Sequence, residues 1–115
     1  MNEFVLIFRN DFRPELKFSP DEMQAIMQKW QAWMGGIAAQ GKMASTGNRL
    51  GGEGKTLKPG NVITNGPYAE IKEMVGGYII IKSDTIDEAT EIAKGCPILT
   101  VGGNVEVRDI VPMNR

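Results

Sequence analysis

The sequence contains no histidine and a single cysteine, Cys96, among its 115 residues. Histidine is the side chain that titrates near neutral pH without help, and it is the commonest metal ligand. Its absence excludes histidine general bases, serine–histidine triads and zinc-protease helices. A lone cysteine excludes an intramolecular disulfide and metal sites built from several thiolates. We therefore expect neither a metal nor another cofactor.

An excess of one charge sign is also missing, because 13 basic and 14 acidic side chains give a net charge of −1. Like charges form no block, so the chain lacks the electrostatic pattern of nucleic-acid or membrane-surface binding. No stretch approaches the roughly 18 apolar residues that span a bilayer. The first residues lack the basic region of a signal peptide. These patterns predict a cytoplasmic protein with no nucleic-acid or membrane partner.

The length favours one globular unit. Domains cluster at roughly 100–150 residues, and a chain of this size can bury a core without cross-links. The hydrophobic fraction of 42% is typical of a globular protein. We expect residues 1–115 to form a single domain.

Capping signals predict two helices. Ser19, Pro20 and Glu22 form a capping box before apolar residues that recur at the helical spacing up to Ile37, and Gly41 is the expected stop. Thr85 and Glu88 form a second box, followed by a shorter amphipathic segment that ends at Gly95.

Strand signals predict five strands around these helices. They lie at 4–8, 42–50, 55–64 with an interruption at 59–60, 77–82 and 105–110. This order corresponds to a ferredoxin-like split βαβ pattern with one additional hairpin strand, an α+β fold with both helices on one face of an antiparallel sheet. The other face needs cover, so we expect a homodimer with its sheets packed face to face.

A long motif resembles a known family. The stretch Asn65-Gly66-Pro67-Tyr68-Ala69-Glu70-Ile71-Lys72-Glu73, followed by Gly76-Gly77-Tyr78, resembles the signature of the YCII-related family in its DGPF branch. That signature runs Asp-Gly-Pro-Phe-Ala-Glu-x-Lys-Glu, then Gly-Gly and an aromatic strand. Cys96-Pro97 and residues 103–108 are similar to the closing pattern of the family.

The resemblance implies a dimeric α+β barrel. It implies an enzymatic pocket by analogy with relatives of the fold, a histidine–aspartate pair in the YCII branch, and an association with sigma factors for some DGPF members. Here Asn65 stands in place of the first aspartate of the motif, and the chain has no histidine. A carried-over histidine–aspartate mechanism therefore does not fit this sequence.

The motif segment 65–73 has two interpretations. It forms a turn shaped by Gly66 with solvated charges around it, or it borders a pocket. In the second case Asn65 hydrogen-bonds a ligand, Tyr68 packs on it, and Glu70 or Glu73 acts as an acid or base if burial raises its pKa.

Three further residues have structural and functional alternatives. Trp30, on the apolar stripe of the first helix, packs in the core or forms a pocket wall. Arg49, near the end of the second strand, clamps a ligand carboxylate or lies on the surface. Cys96 follows a helix C-terminus, where no positive pole stabilises a thiolate, so we expect an inert thiol.

Two functions remain open from these observations. The first is a small-molecule-binding dimer, with or without cofactor-free catalysis, whose candidate ligand-binding residues are Asn65, Tyr68, Glu70, Glu73, Arg49 and Trp30. The alternative is a non-catalytic accessory or regulatory protein that acts through a protein partner. A pocket that holds a carboxyl group with a raised pKa favours chemistry, and a leftover exposed apolar patch favours a partner.

Overall fold

The computed structural model describes residues 1–10, 18–66 and 74–113. Within these ranges the elements are β1 Asn2–Arg9, α1 Pro20–Ala39, β2 Met43–Arg49, β3 Lys55–Lys58, β4 Val62–Asn65, β5 Val75–Ser83, α2 Ile86–Ala93 and β6 Asn104–Asp109, with a 3-10 turn at Pro97–Thr100. In the described ranges no helix is both long and apolar enough to cross a membrane.

Four strands form the main sheet in the order β2-β5-β1-β6. Each neighbouring pair is antiparallel. Strands β1 and β2 are therefore parallel to one another, with β5 between them, and α1 connects them. Strands β5 and β6 are likewise parallel, with β1 between them, and α2 connects them. This is the ferredoxin-like arrangement of two split βαβ units, and it confirms the predicted α+β fold class.

The hairpin β3–β4 corrects the prediction of a single third strand over 55–64. These two strands pair with one another in a separate two-stranded sheet and do not extend the main sheet. The chain reverses at residues 59–61, where Gly60 and Asn61 have φ angles of 83° and 62°. Glycine and asparagine are the residues that adopt this left-handed conformation most readily. The predicted five-stranded sheet is accordingly a four-stranded sheet plus a hairpin.

The capping signals act as predicted in α1 and in part in α2. Ser19 Oγ accepts a hydrogen bond from the Glu22 amide at 3.2 Å, and the Glu22 carboxylate accepts one from the Ser19 amide at 2.9 Å. Thr85 Oγ1 accepts from the Glu88 amide at 3.1 Å. The Glu88 carboxylate instead accepts from Lys42 Nζ at 2.8 Å, which ties α2 to the residue before β2.

The core lies between the helices and one face of the sheet. Along β1 the alternate residues Phe4, Leu6 and Phe8 are buried, and in register they lie opposite Ile81, Ile79 and Gly77 of β5. The helices contribute buried side chains to the same cluster: Ile37, Ala89 and Ala93. On the other face of the sheet Val5, Ile7 and Ile80 are only partly buried. The helices therefore cover one face, as the sequence predicts.

Candidate functional site

A pocket of about 290 Å³ lies between α1 and the sheet, at the end where β1 leaves the sheet and β5 enters it. Its lining combines residues from β1, α1, β2, β5 and the 3-10 turn. They are Phe8, Asn10, Trp30, Met34, Thr46, Asn48, Arg49, Gly76, Gly77, Tyr78, Ile79 and Ile98. Most of this surface is apolar, and the polar side chains come chiefly from β2.

Glycines make room for the pocket on the sheet. Gly77 lies opposite Phe8 in the register of β1 and β5, on the face that α1 covers. An added Cβ at Gly77 would lie 2.9 Å from the Asn48 carbonyl oxygen and 3.3 Å from the Arg49 Cα. A side chain here would therefore push β2 away from β5, so glycine keeps the two strands close and the floor of the pocket open.

The wall on the helix side is aromatic. The Trp30 ring meets the Phe8 ring edge to face, with centroids 4.9 Å apart and an interplanar angle of 85°. Trp33 packs behind both, at 5.7 Å from Trp30 and 6.1 Å from Phe8. The Trp33 indole donates to the Ile92 carbonyl at 3.1 Å. Trp33 thus links the helices, whereas Trp30 faces the pocket.

A bulge in β2 precedes the polar residues Asn48 and Arg49. The pairing of β2 with β5 shifts between Ser45 and Asn48. Gly47, within this shift, has a φ angle of 60°. Beyond this shift Asn48 pairs with Tyr78 and Arg49 with Gly77, so Arg49 lies on the face that α1 covers and Asn48 and Tyr78 lie on the opposite face. Asn48 Nδ2 donates a hydrogen bond to the Tyr78 hydroxyl at 3.1 Å.

Arg49 carries the only charge among the described residues that line the pocket. Its guanidinium forms no ion pair with a carboxylate of the described residues. The other arginines of the sheet differ in this respect, because Arg9 pairs with Glu106 at 3.0 Å and Arg108 lies 3.9 Å from the same carboxylate. The described part of the pocket lining therefore carries one positive charge.

Comparison with known proteins gives a family. The model of the YCII-related domain matches residues 4–114. The chain belongs to the YCII-related family. Among solved structures, this YCII-related protein is similar to 5-chloro-2-hydroxyhydroquinone dehydrochlorinase from Burkholderia phenoliruptrix AC1100, in complex with 2,5-dihydroxybenzoquinone, at 21% identity and a TM-score of 0.45, over 91% of this chain and 90% of that one. A search of curated proteins returned no match.

The structure brings together two of the candidate residues of this YCII-related protein. Trp30 and Arg49 both line the pocket. Asn65 ends β4 opposite Lys55, where it is exposed and is not part of the pocket lining. Tyr68, Glu70 and Glu73 lie outside the described residues, and their role in ligand binding stays a prediction.

The sequence patterns missed other residues of the pocket lining, among them the hydrogen-bonded pair of Asn48 and Tyr78. Both had a detectable signal. Tyr78 follows a glycine pair, and Asn48 follows a glycine within a predicted strand, where glycine often marks a bulge or a close backbone approach. Strand patterns alone do not show which residues face each other across the sheet, so the pair emerged only from the structure.

Two expectations about reactive groups bear on the chemistry of this protein. In the described ranges no group of three or more Cys, Asp or Glu residues has the geometry of a metal site. Cys96 is buried, and burial raises the pKa of its thiol to about 12. At neutral pH the side chain is a protonated, weakly nucleophilic thiol, in agreement with the expectation of an inert cysteine.

Proposed function

We propose that this YCII-related protein binds a small organic molecule in the pocket between α1 and the sheet. The observation that carries the proposal is the composition of the pocket, whose lining combines aromatic and aliphatic walls with a few polar residues and the charged Arg49. Sites for metabolites combine mostly apolar walls with a few convergent polar groups. The volume of about 290 Å³ lies just below the range of about 300–1,000 Å³ that such sites span, so the pocket suits a small compound.

We also propose a homodimer of the DGPF branch in which two sheets pack face to face as a dimeric α+β barrel, each chain being one domain. Support comes from the sheet face opposite the helices. Val5 lies beside Ile80 there, and Ile7 beside Tyr78. The three aliphatic side chains are only partly buried in the single chain. A second copy that covers them would remove this apolar surface from water.

A cofactor-free enzyme is the catalytic form of the proposal. It requires an acid or base at the pocket, and the described lining contains no carboxylate. Glu70 and Glu73 are the candidates, with Asn65 and Tyr68 as proposed ligand contacts. The position of these residues in the chain supports the proposal, because residue 73 is followed closely by Gly76 and Gly77 of the pocket floor.

The alternative is an accessory protein that acts through a protein partner, and the hairpin β3–β4 favours it. Leu57 and Ile63 lie opposite each other on one face of this hairpin. They are 71% and 60% exposed. An exposed cross-strand apolar pair on a hairpin outside the main sheet is typical of a contact surface.

A thermal-shift screen against small carboxylates, lactones and aromatic acids tests the binding proposal. A ligand that binds only the native state stabilises it by RT ln(1 + [L]/Kd), about 2.7 kcal/mol at a hundredfold excess over Kd. We expect hits whose shift disappears in Met34→Trp, which fills the pocket, and persists in Met27→Trp, on an exposed position of the same helix. A flat screen would contradict the pocket and favour the accessory role.

Sedimentation at micromolar concentration tests the dimer. We expect twice the mass of the chain for the wild type and a shift toward monomer for Ile80→Glu, which places a charge on the proposed interface. Glu91→Lys, on the exposed face of α2, is the control and should leave the mass unchanged. A wild-type protein that stays monomeric would exclude face-to-face packing.

A further inference from the structure

The hairpin β3–β4 is the far end of a long two-stranded ribbon that begins in the main sheet. The pairing of β2 with β5 ends where the Leu50 amide donates a hydrogen bond to the Gly76 carbonyl at 2.8 Å. The hairpin begins where the Gly66 amide donates to the Gly54 carbonyl. Since an extended chain rises about 3.3 Å per residue, the tip of the hairpin lies at most about 30 Å beyond Leu50. This end of the ribbon, residues 51–66, is the arm.

The arm has little packing against the rest of the described chain. Among the described elements, β3 and β4 pack chiefly on each other. The Cα radius of gyration is 15.7 Å, whereas a compact domain of this length has a radius of about 13 Å. A two-stranded hairpin by itself is marginally stable in water. The arm therefore gains stability from a surface that the described part of its own chain does not supply.

The two faces of the arm differ in polarity. On one face Leu57 lies opposite Ile63, and these side chains are 71% and 60% exposed. The other face carries Thr56 opposite Thr64 and a single aliphatic side chain, Val62. Neighbouring apolar side chains in water mark a contact surface. The face with the Leu57–Ile63 pair is therefore the one that a partner covers.

A second uncovered surface lies on the same chain. The open face of the sheet, opposite the helices, carries the partly buried Val5, Ile7 and Ile80. The four strands place only roughly fifteen side chains on this face, because alternate residues point to each side. A stable interface engages about 20–30 residues on each partner. Contact through the open face alone therefore falls short of a stable dimer, and the arm can supply the remainder.

One partner with two-fold symmetry covers both surfaces. In a two-fold dimer each patch occurs on both copies, so an arm that reaches across the axis is matched by the arm of the other copy. We propose that the arm packs Leu57 and Ile63 against a second copy of this chain, beyond the edge of the paired sheets. This inference rests on the proposed homodimer and names what covers the hairpin. An unrelated protein on the arm would leave the open face exposed.

Sedimentation equilibrium of the full chain over a range of concentrations tests the contribution of the arm. Leu57→Ser combined with Ile63→Ser should raise the dimer dissociation constant at least about tenfold, because two buried aliphatic side chains are lost from the interface. Val62→Ser makes the same kind of change on the other face of the hairpin and should leave the constant unchanged. Circular dichroism confirms that each variant is folded. An unchanged constant in the double variant would overturn the proposal.

Photocrosslinking shows which chain the arm touches. In Leu57→Cys, a benzophenone maleimide labels position 57 selectively, because the native Cys96 is buried. Illumination of a mixture of isotope-labelled and unlabelled chains, after subunit exchange, should join labelled peptides to unlabelled ones. Crosslinks confined within one chain would overturn the proposal.

The variants separate the arm from the packing of the sheets. If Ile80→Glu dissociates the dimer and the arm variants do not, the proposed homodimer stands and the arm proposal fails. If the arm variants dissociate the dimer and Ile80→Glu does not, the arm proposal stands and face-to-face packing fails. A wild-type protein that stays monomeric and forms no crosslinks between chains would overturn both, and would leave the hairpin to a different protein.

Discussion

The Trp33 indole donates a hydrogen bond to the Ile92 carbonyl, with 3.1 Å between Nε1 and the oxygen. These residues are far apart in the chain, and their bond joins α1 to α2 over the core. An added Cβ at Gly95 would lie 3.1 Å from the Trp33 ring, so the end of α2 packs closely on the indole. The indole therefore fixes the distance between the two helices.

Replacing Trp33 with phenylalanine should destabilise the protein by more than the same change at Trp30. Both variants lose similar ring area, but only Trp33→Phe also loses a hydrogen bond to the Ile92 carbonyl, which keeps its bond from the Gly95 amide at 3.2 Å. The difference in the free energy of unfolding should be about 1 kcal/mol. Urea unfolding followed by far-UV circular dichroism measures it. Equal losses would mean that the hydrogen bond adds nothing to the packing.

Gly47 should tolerate no side chain. Its φ angle of 60° is in the left-handed region, and an added Cβ would overlap the Tyr78 carbonyl oxygen. Gly41 is the matched control, because its φ angle is 72° but an added Cβ would meet nothing within 4 Å. Gly41→Ala should cost about 1 kcal/mol from backbone strain alone, and Gly47→Ala at least about 2 kcal/mol more. Similar unfolding midpoints for the two variants would contradict the close contact of β2 and β5.

The Lys42–Glu88 pair should make stability depend on pH. The hydrogen bond from Lys42, at 2.8 Å, holds the pKa of Glu88 below its ordinary value of 4.5. A carboxyl group with a lower pKa in the folded state stabilises the protein above the unfolded-state pKa. This contribution is lost as the pH falls from 4.5 through the folded-state pKa.

Unfolding midpoints across this pH range check the prediction. Glu88→Gln should flatten the pH dependence below 4.5 relative to the wild type, because glutamine does not titrate. Glu91→Gln changes a more exposed carboxylate on the same helix and should leave the profile close to that of the wild type. Identical profiles for wild type and Glu88→Gln would exclude the pair as a source of the dependence.

Cys96 should react with thiol reagents only after unfolding. The side chain is buried, and burial raises its pKa to about 12, so at pH 8 the native protein holds almost no thiolate at this position. We expect Ellman's reagent to label the native protein slowly. In about 8 M urea, which unfolds most domains, labelling should be immediate. Rapid labelling of the native protein would contradict the burial of the thiol.

Local patterns were sufficient to predict most elements of this fold. A capping box acts within four residues, so Ser19 and Glu22 marked the start of α1 without reference to the rest of the chain. Alternating burial along β1 follows from the two-residue period of a strand. The family motif and the order of elements were enough for the ferredoxin-like arrangement, since handed crossovers leave few alternatives.

Prediction failed where the choice depends on distant partners. The signals over 55–64 indicate extended chain, but whether that chain joins the main sheet depends on the hydrogen-bonding edges available to it, and a left-handed turn at Gly60 and Asn61 pairs it with itself. The second capping box forms only the bond from the Glu88 amide to Thr85. The Glu88 carboxylate accepts a hydrogen bond from Lys42, which lies in another part of the chain and is not visible in the local pattern.

The sequence by itself determined the fold class and the family, and it excluded the kinds of chemistry that need histidine or several cysteines. These conclusions follow from composition and from spacings of a few residues. The pocket was decided by tertiary structure. Trp30, Arg49 and Tyr78 come from a helix and two strands, and only the register of β2 on β5, shifted by the bulge at Gly47, puts them around one cavity. A glycine within a strand pattern signals a bulge, but the strand that β2 pairs with, and therefore the residues that face one another, depend on long-range packing.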